Sequence, residues 1–333
     1  MLIYRKPSRC MVCQDELRRA FQEVEDRVYN VPGKWNLDRC ANASCSALYL
    51  AHDLTEQQLA SFYATYSTHS PPVLDAIGLK GLYRGALKHI IHRRLDYPTA
   101  QPGRTALIAR ALDAVPYFRE MALSRVFWLP YVNGGRAVEI GFGNGQAMAL
   151  MREAGWDMRG SELDETCVSL ARDMGFDAVR GEFTSHVFEA DSADAIVASH
   201  AIEHVPDPRA FFDEAIRVLR PGGRLVLRTP NAASADARRA GAAWRGLETP
   251  RHLTIHTPNS LAMLAEQTGF ADVRVQGTPL GGFIAQQSRE LRRGQKPAPR
   301  QSGKTIPFDV LETARAVLND RQCAEMVLLA SKS

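Results

Sequence analysis

The chain predicts a doubly wound α/β fold carrying a small extra unit at its N-terminus, and three observations support this. From Arg136 onward, short β-favouring runs alternate with stretches at helical spacing. The first run, Ala137-Val138-Glu139-Ile140, enters a turn with glycines at Gly141, Gly143 and Gly145, and Gln146 to Ala154 then reads as a helix. Strand, glycine turn and helix open a nucleotide-binding βαβ unit, where glycine lets the main chain approach a ligand. Ahead of this, four of the six cysteines fall within the first 45 residues.

Bulk properties narrow the function. The 333 residues are 45% hydrophobic and 23% charged, an ordinary globular balance. A net charge of +4 with scattered basic residues argues against nucleic acid as a partner. No apolar run reaches bilayer length, and no apolar segment precedes a cleavage site near the N-terminus, so the expectation is a cytoplasmic protein with no membrane partner. In a reducing compartment clustered thiols suggest metal rather than disulfides.

Residues 1–50 read as a zinc-ribbon-like unit. Cys10-x-x-Cys13 and Cys40-x-x-x-x-Cys45 supply two thiolate pairs, enough for a tetrahedral structural zinc. Four reduced structural thiols are the alternative, because the second spacing is loose. Ala47 to Leu50 leaves the second pair as a short strand, and metal would supply much of the folding free energy of so small a unit. Cys167 and Cys323 stand apart and read as small core residues.

Residues 51–130 read as a helical cap or linker. Asp53-Leu54-Thr55-Glu56 resembles a helix start, with Leu59, Phe62 and Tyr63 at helical spacing. Tyr66, Ser67, Thr68 and His69 then run into the breaker Ser70-Pro71-Pro72. Helical stretches over about 74–95 and 104–128 flank a Pro-Gly loop. His89 and His92 read as part of a solvated basic face.

Residues 131–333 read as the catalytic domain. The second strand, Trp156 to Glu162, ends in an acid; the third, Ala178 to Arg180, is followed by Glu182 and Phe183; the fourth runs from Asp194 to Ala198. Ligands of such sheets bind outside the carboxyl ends of the strands. At that edge of the fourth strand stand Ser199-His200-Ala201-Ile202-Glu203-His204-Val205-Pro206-Asp207-Pro208, then a helix and Arg220-Pro221-Gly222-Gly223. A sixth strand about Asp272 to Val275 and a last one, Ala324 to Ala330, enclose a helical insertion at about 284–322. Its basic run of Arg289, Arg292, Arg293, Lys296 and Arg300 reads as a solvated face.

Two features select the ligand. A dinucleotide fingerprint would place glycine where Gln146 stands. The acid inside the first strand, Glu139, is unsuited to a pyrophosphate and suited to an ammonium and a sulfonium. The glycine turn, Glu162, the Glu203-His204-Val205-Pro206-Asp207-Pro208 run and Leu219 to Gly223 with Thr229-Pro230-Asn231 together resemble class I S-adenosylmethionine-dependent methyltransferases, including the ubiquinone-type O-methyltransferases. Pro250-Arg251-His252-Leu253 through Leu261 resembles a loop of a branch that carries an N-terminal zinc ribbon and acts in glycan or natural-product pathways; His256 there replaces an aromatic residue. The resemblance covers about residues 130–275 and implies a Rossmann-like seven-stranded sheet, with the last strand antiparallel.

It also implies a cofactor set. Glu139, Gly141, Phe142, Gly143, Gly145 and Ser199 would hold the methionine end, Glu162 the ribose and Leu163 the adenine face. Glu182 would meet the adenine amino group with Phe183 nearby. Surface or turn roles remain the alternatives for Glu162 and Glu182.

Methyl transfer to a hydroxyl also needs a proton acceptor, and His200, His204 and His252 are the candidates. If the turn after the fourth strand is helical, His200, Glu203 and His204 share one face. They could form a base oriented by a carboxylate, or a divalent-metal site like that of ubiquinone-type relatives, which have an acid at position 200; a purely loop-stabilising role is the third option. The pattern His200-x-x-Glu203-His204 also matches a metallopeptidase signature, but Pro206 and Pro208 cut the helix that signature requires. The expectation is O-methylation of a small-molecule acceptor such as a sugar, glycan or natural product. N- or C-methylation on the same scaffold and a catalytically idle binding module are the alternatives. Oligomeric state is open, a homodimer being one option.

Overall fold

The computed structural model describes residues 2–63, 82–98, 105–297 and 306–333. The run from Tyr66 to Pro72, the start of the 74–95 stretch and parts of the loops at 97–103 and 294–303 lie outside them. Five short strands come first: β1 (Leu2–Tyr4), β2 (Leu17–Val24), β3 (Trp35–Cys40), β4 (Leu48–Leu50) and β5 (Leu54–Thr55). Helices α1 (Glu56–Tyr63), α2 (Leu82–Leu95), α3 (Thr105–Asp113) and α4 (Pro116–Leu123) follow. The stretch expected to be one helix over 104–128 is therefore broken. Val115 is extended (φ −97°, ψ 115°) because a residue before proline avoids the helical region, and Pro116 restarts the chain at the first position of α4. His89, expected on a solvated face, is buried.

From Arg136 the alternation holds: β6 (Arg136–Ile140), α5 (Gln146–Glu153), β7 (Asp157–Glu162), α6 (Glu165–Asp173), β8 (Asp177–Arg180), β9 (Ala193–Ser199), α7 (Pro208–Val218) and β10 (Leu219–Pro230). Next come α8 (Ala235–Ala240), β11 (Thr254–Ile255), α9 (Pro258–Gln267), β12 (Phe270–Thr278), α10 (Gly282–Arg292), α11 (Ile306–Leu318) and β13 (Glu325–Lys332). Seven strands form one sheet in the order β12-β13-β10-β9-β6-β7-β8. Its neighbours pair parallel except β13, which runs antiparallel to both β10 and β12. This is the seven-stranded, Rossmann-like sheet expected from the sequence.

Both faces of the sheet are covered, which is why its central strands are almost wholly apolar. Ile196 and Leu225 pack with Phe211, Phe212 and Phe270 on one face. Val197 and Val226 face the other way, into a core with Met148, Met151 and Trp156 that also takes in Leu87 and Ile90 of α2. Cys167 and Cys323 are buried, as their isolation in the sequence predicts.

The N-terminal strands do not stand alone. Their sheet has the order β11-β4-β3-β2, so its outer strand comes from more than 200 residues later, with Thr254 opposite Tyr49 and Ile255 opposite Leu48. The Leu50 amide donates to the Leu253 carbonyl (2.9 Å), and the Thr257 hydroxyl, which caps α9, donates to the Cys45 carbonyl (2.6 Å). The cysteine-bearing unit therefore grips the loop that carries His252.

Candidate active site

The glycine turn links β6 to α5 with Gly141, Gly143 and Gly145 all left-handed (φ +66°, +54° and +73°), a conformation side chains resist. A Cβ on Gly145 would lie 2.6 Å from Met174 Cε, and one on Gly141 3.0 Å from Ala201 Cβ, so the turn is also tightly enclosed. Glu139 sits behind it, buried, with Oε2 lacking any partner. Burial, reinforced by the nearby Glu162 carboxylate, pushes the Glu139 carboxyl up to about 8, against a small opposing effect of the Met148 amide. A buried carboxyl with its Oε2 unpartnered, beside a glycine-rich bend of main chain, fits the cationic end of a sulfonium amino acid.

Glu162, ending β7, is already tied to the turn. Its Oε2 accepts from the Gly143 amide (3.0 Å) and its Oε1 from the Leu163 and Asp164 amides (2.7 and 3.2 Å). Leu163 is 53% exposed, an apolar surface directly after the acid. Glu182 is half-buried and leads the 3₁₀ turn Phe183–Ser185 without capping it. The Phe183 ring is buried, 5.2 Å between centroids from Phe211, because the core claims its apolar area. Phe142 is also buried, its ring so close over Gly160 that a Cβ there would meet it at 2.5 Å; only its main chain belongs to the turn. Ser199 closes β9, half-buried and opposite Arg228 of β10.

Beyond Ser199 the chain turns sharply. His200 is left-handed (φ +55°) and its amide donates to the Arg228 carbonyl (2.8 Å). His200 Nδ1 lies 3.3 Å from Glu203 Oε1, and its Nε2 lies 3.2 Å from Glu325 Oε1. Burial opposes a charge on this ring, but Glu325 and Glu203 outweigh it and raise His200 to about 9. The resting group is thus an imidazolium rather than the free base expected for a neutral-pH histidine.

Residues 202–204 form a single 3₁₀ turn, too short for the helical face that would group His200 with His204. Instead His204 and His252 stack edge to face, 4.8 Å between centroids. His204 Nδ1 lies 3.0 Å from the Arg251 carbonyl and His252 Nδ1 2.8 Å from the Gly246 carbonyl. Ligand atoms of Glu203, His204 and His252 come within 4.8 Å of one another, a set able to hold a divalent cation. Glu203 Oε2 accepts from the Thr229 hydroxyl (2.9 Å). Burial keeps His252 neutral, down at about 4. His256 is buried as well, so it fills the aromatic position as a neutral ring.

Three charged residues of this network were not legible in the sequence: Arg228, Glu248 and Glu325. Glu248 accepts from Arg245 and, at 3.0 Å, from Arg251, which also reaches Asp26 of the N-terminal unit at 3.2 Å. The signal for Glu325 was present but indirect. An antiparallel last strand starts at the edge where the parallel strands end, so its first residue faces the site.

Cys10, Cys13, Cys40 and Cys45 gather their sulfurs within 4.8 Å of one another, with Cys10 to Cys45 at 3.6 Å and Cys13 to Cys40 at 3.3 Å. Zn–S bonds of about 2.3 Å at a tetrahedral centre place sulfurs about 3.8 Å apart, so the cluster is compatible with structural zinc. The Cys13 amide points at Cys10 Sγ (3.5 Å), a contact that favours thiolate.

The sheet order, the glycine turn and the two acids define a class I S-adenosylmethionine-dependent methyltransferase. The sequence profile of the family described as "Methyltransferase domain" matches residues 86–275, and the chain belongs to that family. It is 26% identical over 167 residues to the ubiquinone biosynthesis O-methyltransferase of Idiomarina loihiensis, covering 45% of this chain and 69% of that one. It is 31% identical over 101 residues to the demethylmenaquinone methyltransferase of Clavibacter sepedonicus, covering 29% of this chain and 41% of that one. A solved methyltransferase from Thermotoga maritima, described as a possible histamine N-methyltransferase, aligns over 74% of this chain and 99% of its own at 20% identity and a TM-score of 0.46. Among the described residues no helix is long and apolar enough to cross a membrane.

Two outcomes follow from this geometry. Elemental analysis should find a single zinc at the four cysteines, and chelating it should raise amide exchange across 250–257 while S-adenosylmethionine still binds. Below about 8 the Glu139 carboxyl holds its proton, and a cationic ligand favours the ionised form. Calorimetry at pH 7 in buffers of different ionisation enthalpy should therefore show a proton released on binding S-adenosylmethionine, and Glu139→Gln should abolish that release.

Proposed function

We propose that the protein O-methylates a hydroxyl of a small molecule, a sugar or glycan unit or a natural product, with histidine taking the proton. Residues 1–50 would act as the zinc ribbon, 51–130 as a cap, and 131–333 as the catalytic domain with its insertion at about 284–322. S-adenosylmethionine supplies a methyl already activated on a positive sulfur. The chain's own work is to align the acceptor oxygen, exclude water and receive one proton. Glu139 and the glycine turn would hold the amino-acid end, Glu162 the ribose hydroxyls, and Leu163 with Glu182 the adenine.

The observation that carries the reading is the position of His200. It lies at the carboxyl end of β9, its side chain 36% exposed, while Ala201 beside it abuts Gly141 of the turn. Among the three candidate histidines it combines access with carboxylate oxygens 3.3 and 3.2 Å from its two ring nitrogens. As a base it must first shed the proton those carboxylates hold on it. His252 is buried and neutral, suited to orienting Glu203 or the acceptor. A second reading rests on the convergence of Glu203, His204 and His252. There a divalent ion would hold the acceptor oxygen, and prolonged chelation would lower turnover with the cysteine-bound zinc retained.

The test uses a catechol as probe phenol and a nucleoside-diphosphate sugar as probe alcohol, with the methylated atom located by NMR. His200→Gln should lower kcat by about a hundredfold or more, the usual range for a lost general base, with S-adenosylmethionine affinity unchanged. Unchanged turnover would remove His200 as the base, and methyl on nitrogen or carbon would remove the O-methylation reading.

A further inference from the structure

We infer that Glu325 is a positioning residue for methyl transfer, holding the His200 ring at the reacting edge of the sheet. The inference rests on the reading of His200 above and adds to it a residue 125 positions away. The fold explains how the two meet. β13 enters the sheet antiparallel between β10 and β12, so its first residue pairs with the last of both neighbours, Pro230 and Thr278. That register brings Glu325 to the edge where β9 ends in Ser199 and His200 begins the turn.

Glu325 is buried, and a buried carboxylate must be paired. Arg228 alone would meet that need. Its Nε and Nη2 both reach Oε2, at 2.8 and 2.6 Å. The other oxygen, Oε1, is directed 3.2 Å from His200 Nε2. The two oxygens are thus divided between an anchor and a histidine.

Arg228 acts on His200 twice. Its carbonyl accepts the His200 amide at 2.8 Å, and its guanidinium fixes the carboxylate that meets the ring. Glu203 meets the opposite ring nitrogen at 3.3 Å. A left-handed backbone at a β-carbon-bearing residue persists only where its surroundings over-determine it, and His200 has such surroundings on three sides. The result is a ring whose plane and distance from the turn are set before any acceptor arrives. Preset alignment of this kind is what a displacement with a narrow in-line geometry requires.

The test compares wild type, Glu325→Gln, His200→Gln and the double variant. The first readout needs no acceptor: ethoxyformylation of His200 by diethylpyrocarbonate at fixed pH, followed by peptide mass spectrometry. Exposed His186, paired with Glu214 instead, is the internal reference. Glu325→Gln keeps the shape of the side chain but loses the charge facing His200 Nε2, so modification of His200 should quicken several-fold relative to His186. The second readout is turnover with whichever probe acceptor is methylated. Glu325→Gln should lower kcat by about tenfold or more with S-adenosylmethionine affinity within twofold, and the double variant should be no slower than His200→Gln alone.

Should Glu325→Gln fold poorly, Glu325→Asp keeps the charge for Arg228 and withdraws it from His200, and must give the same pattern. Unaltered His200 reactivity, or losses in kcat that multiply in the double variant, would overturn the inference and leave His200 as base. Full activity in His200→Gln would instead remove the reading of His200 and this inference together.

Discussion

The structure depends on one arrangement, a buried carboxyl with one oxygen left unpartnered beside a bend of main chain in which every second residue is glycine. Glu139 is costly where it stands, since burial raises it to about 8 and no hydrogen bond satisfies its Oε2. Folding alone does not call for an acid inside a central strand whose neighbours are Val138 and Ile140. A cationic ligand would offset that cost, and the three glycines beside it are all left-handed. Glu162, bonded to the Gly143 amide, continues the same surface toward Leu163.

A second charged assembly lies at the carboxyl end of β9, the neighbour of β6 in the sheet. Arg228, Glu325, His200 and Glu203 follow one another in contact, and Glu248 links His252 to Arg245 and Arg251. Arg251 is fully buried and reaches Asp26. The N-terminal unit therefore joins the charged network around His252. Its sheet is completed by β11, two residues after His252, and its Cys45 carbonyl takes the hydroxyl that caps α9. A metal held at the cysteines would be coupled to the order of the histidine loop through that seam.

Local features were legible in the sequence. The order of strands and helices from Arg136, the glycine turn and the acid ending β7 all follow from short patterns whose physics is local, whereas the antiparallel sense of the last strand came from the family resemblance. The paired cysteine spacings likewise announced a cluster that the fold closes. What sequence could not supply is distance across the fold. Phe183 followed the adenine-side acid and read as a neighbour of the adenine, and the sequence did not show that its ring packs with Phe211 and Phe188. His200, Glu203 and His204 looked like one helical face, but a single 3₁₀ turn separates His200 and brings His252 beside His204. Pro116 was a legible break inside the expected 104–128 helix, and helical periodicity on both sides masked it. Glu325 and Arg228 became visible only once the register of β13 was known.

The central claim is that Glu139 and the glycine turn form the socket for a positively charged methyl donor. Titration calorimetry of the full chain with S-adenosylmethionine, repeated on Gly143→Val, tests it most directly. Saturable binding at one site per chain, lost in a Gly143→Val protein that still folds, is the predicted result. No binding by the wild-type chain, or equal binding by the variant, would contradict it.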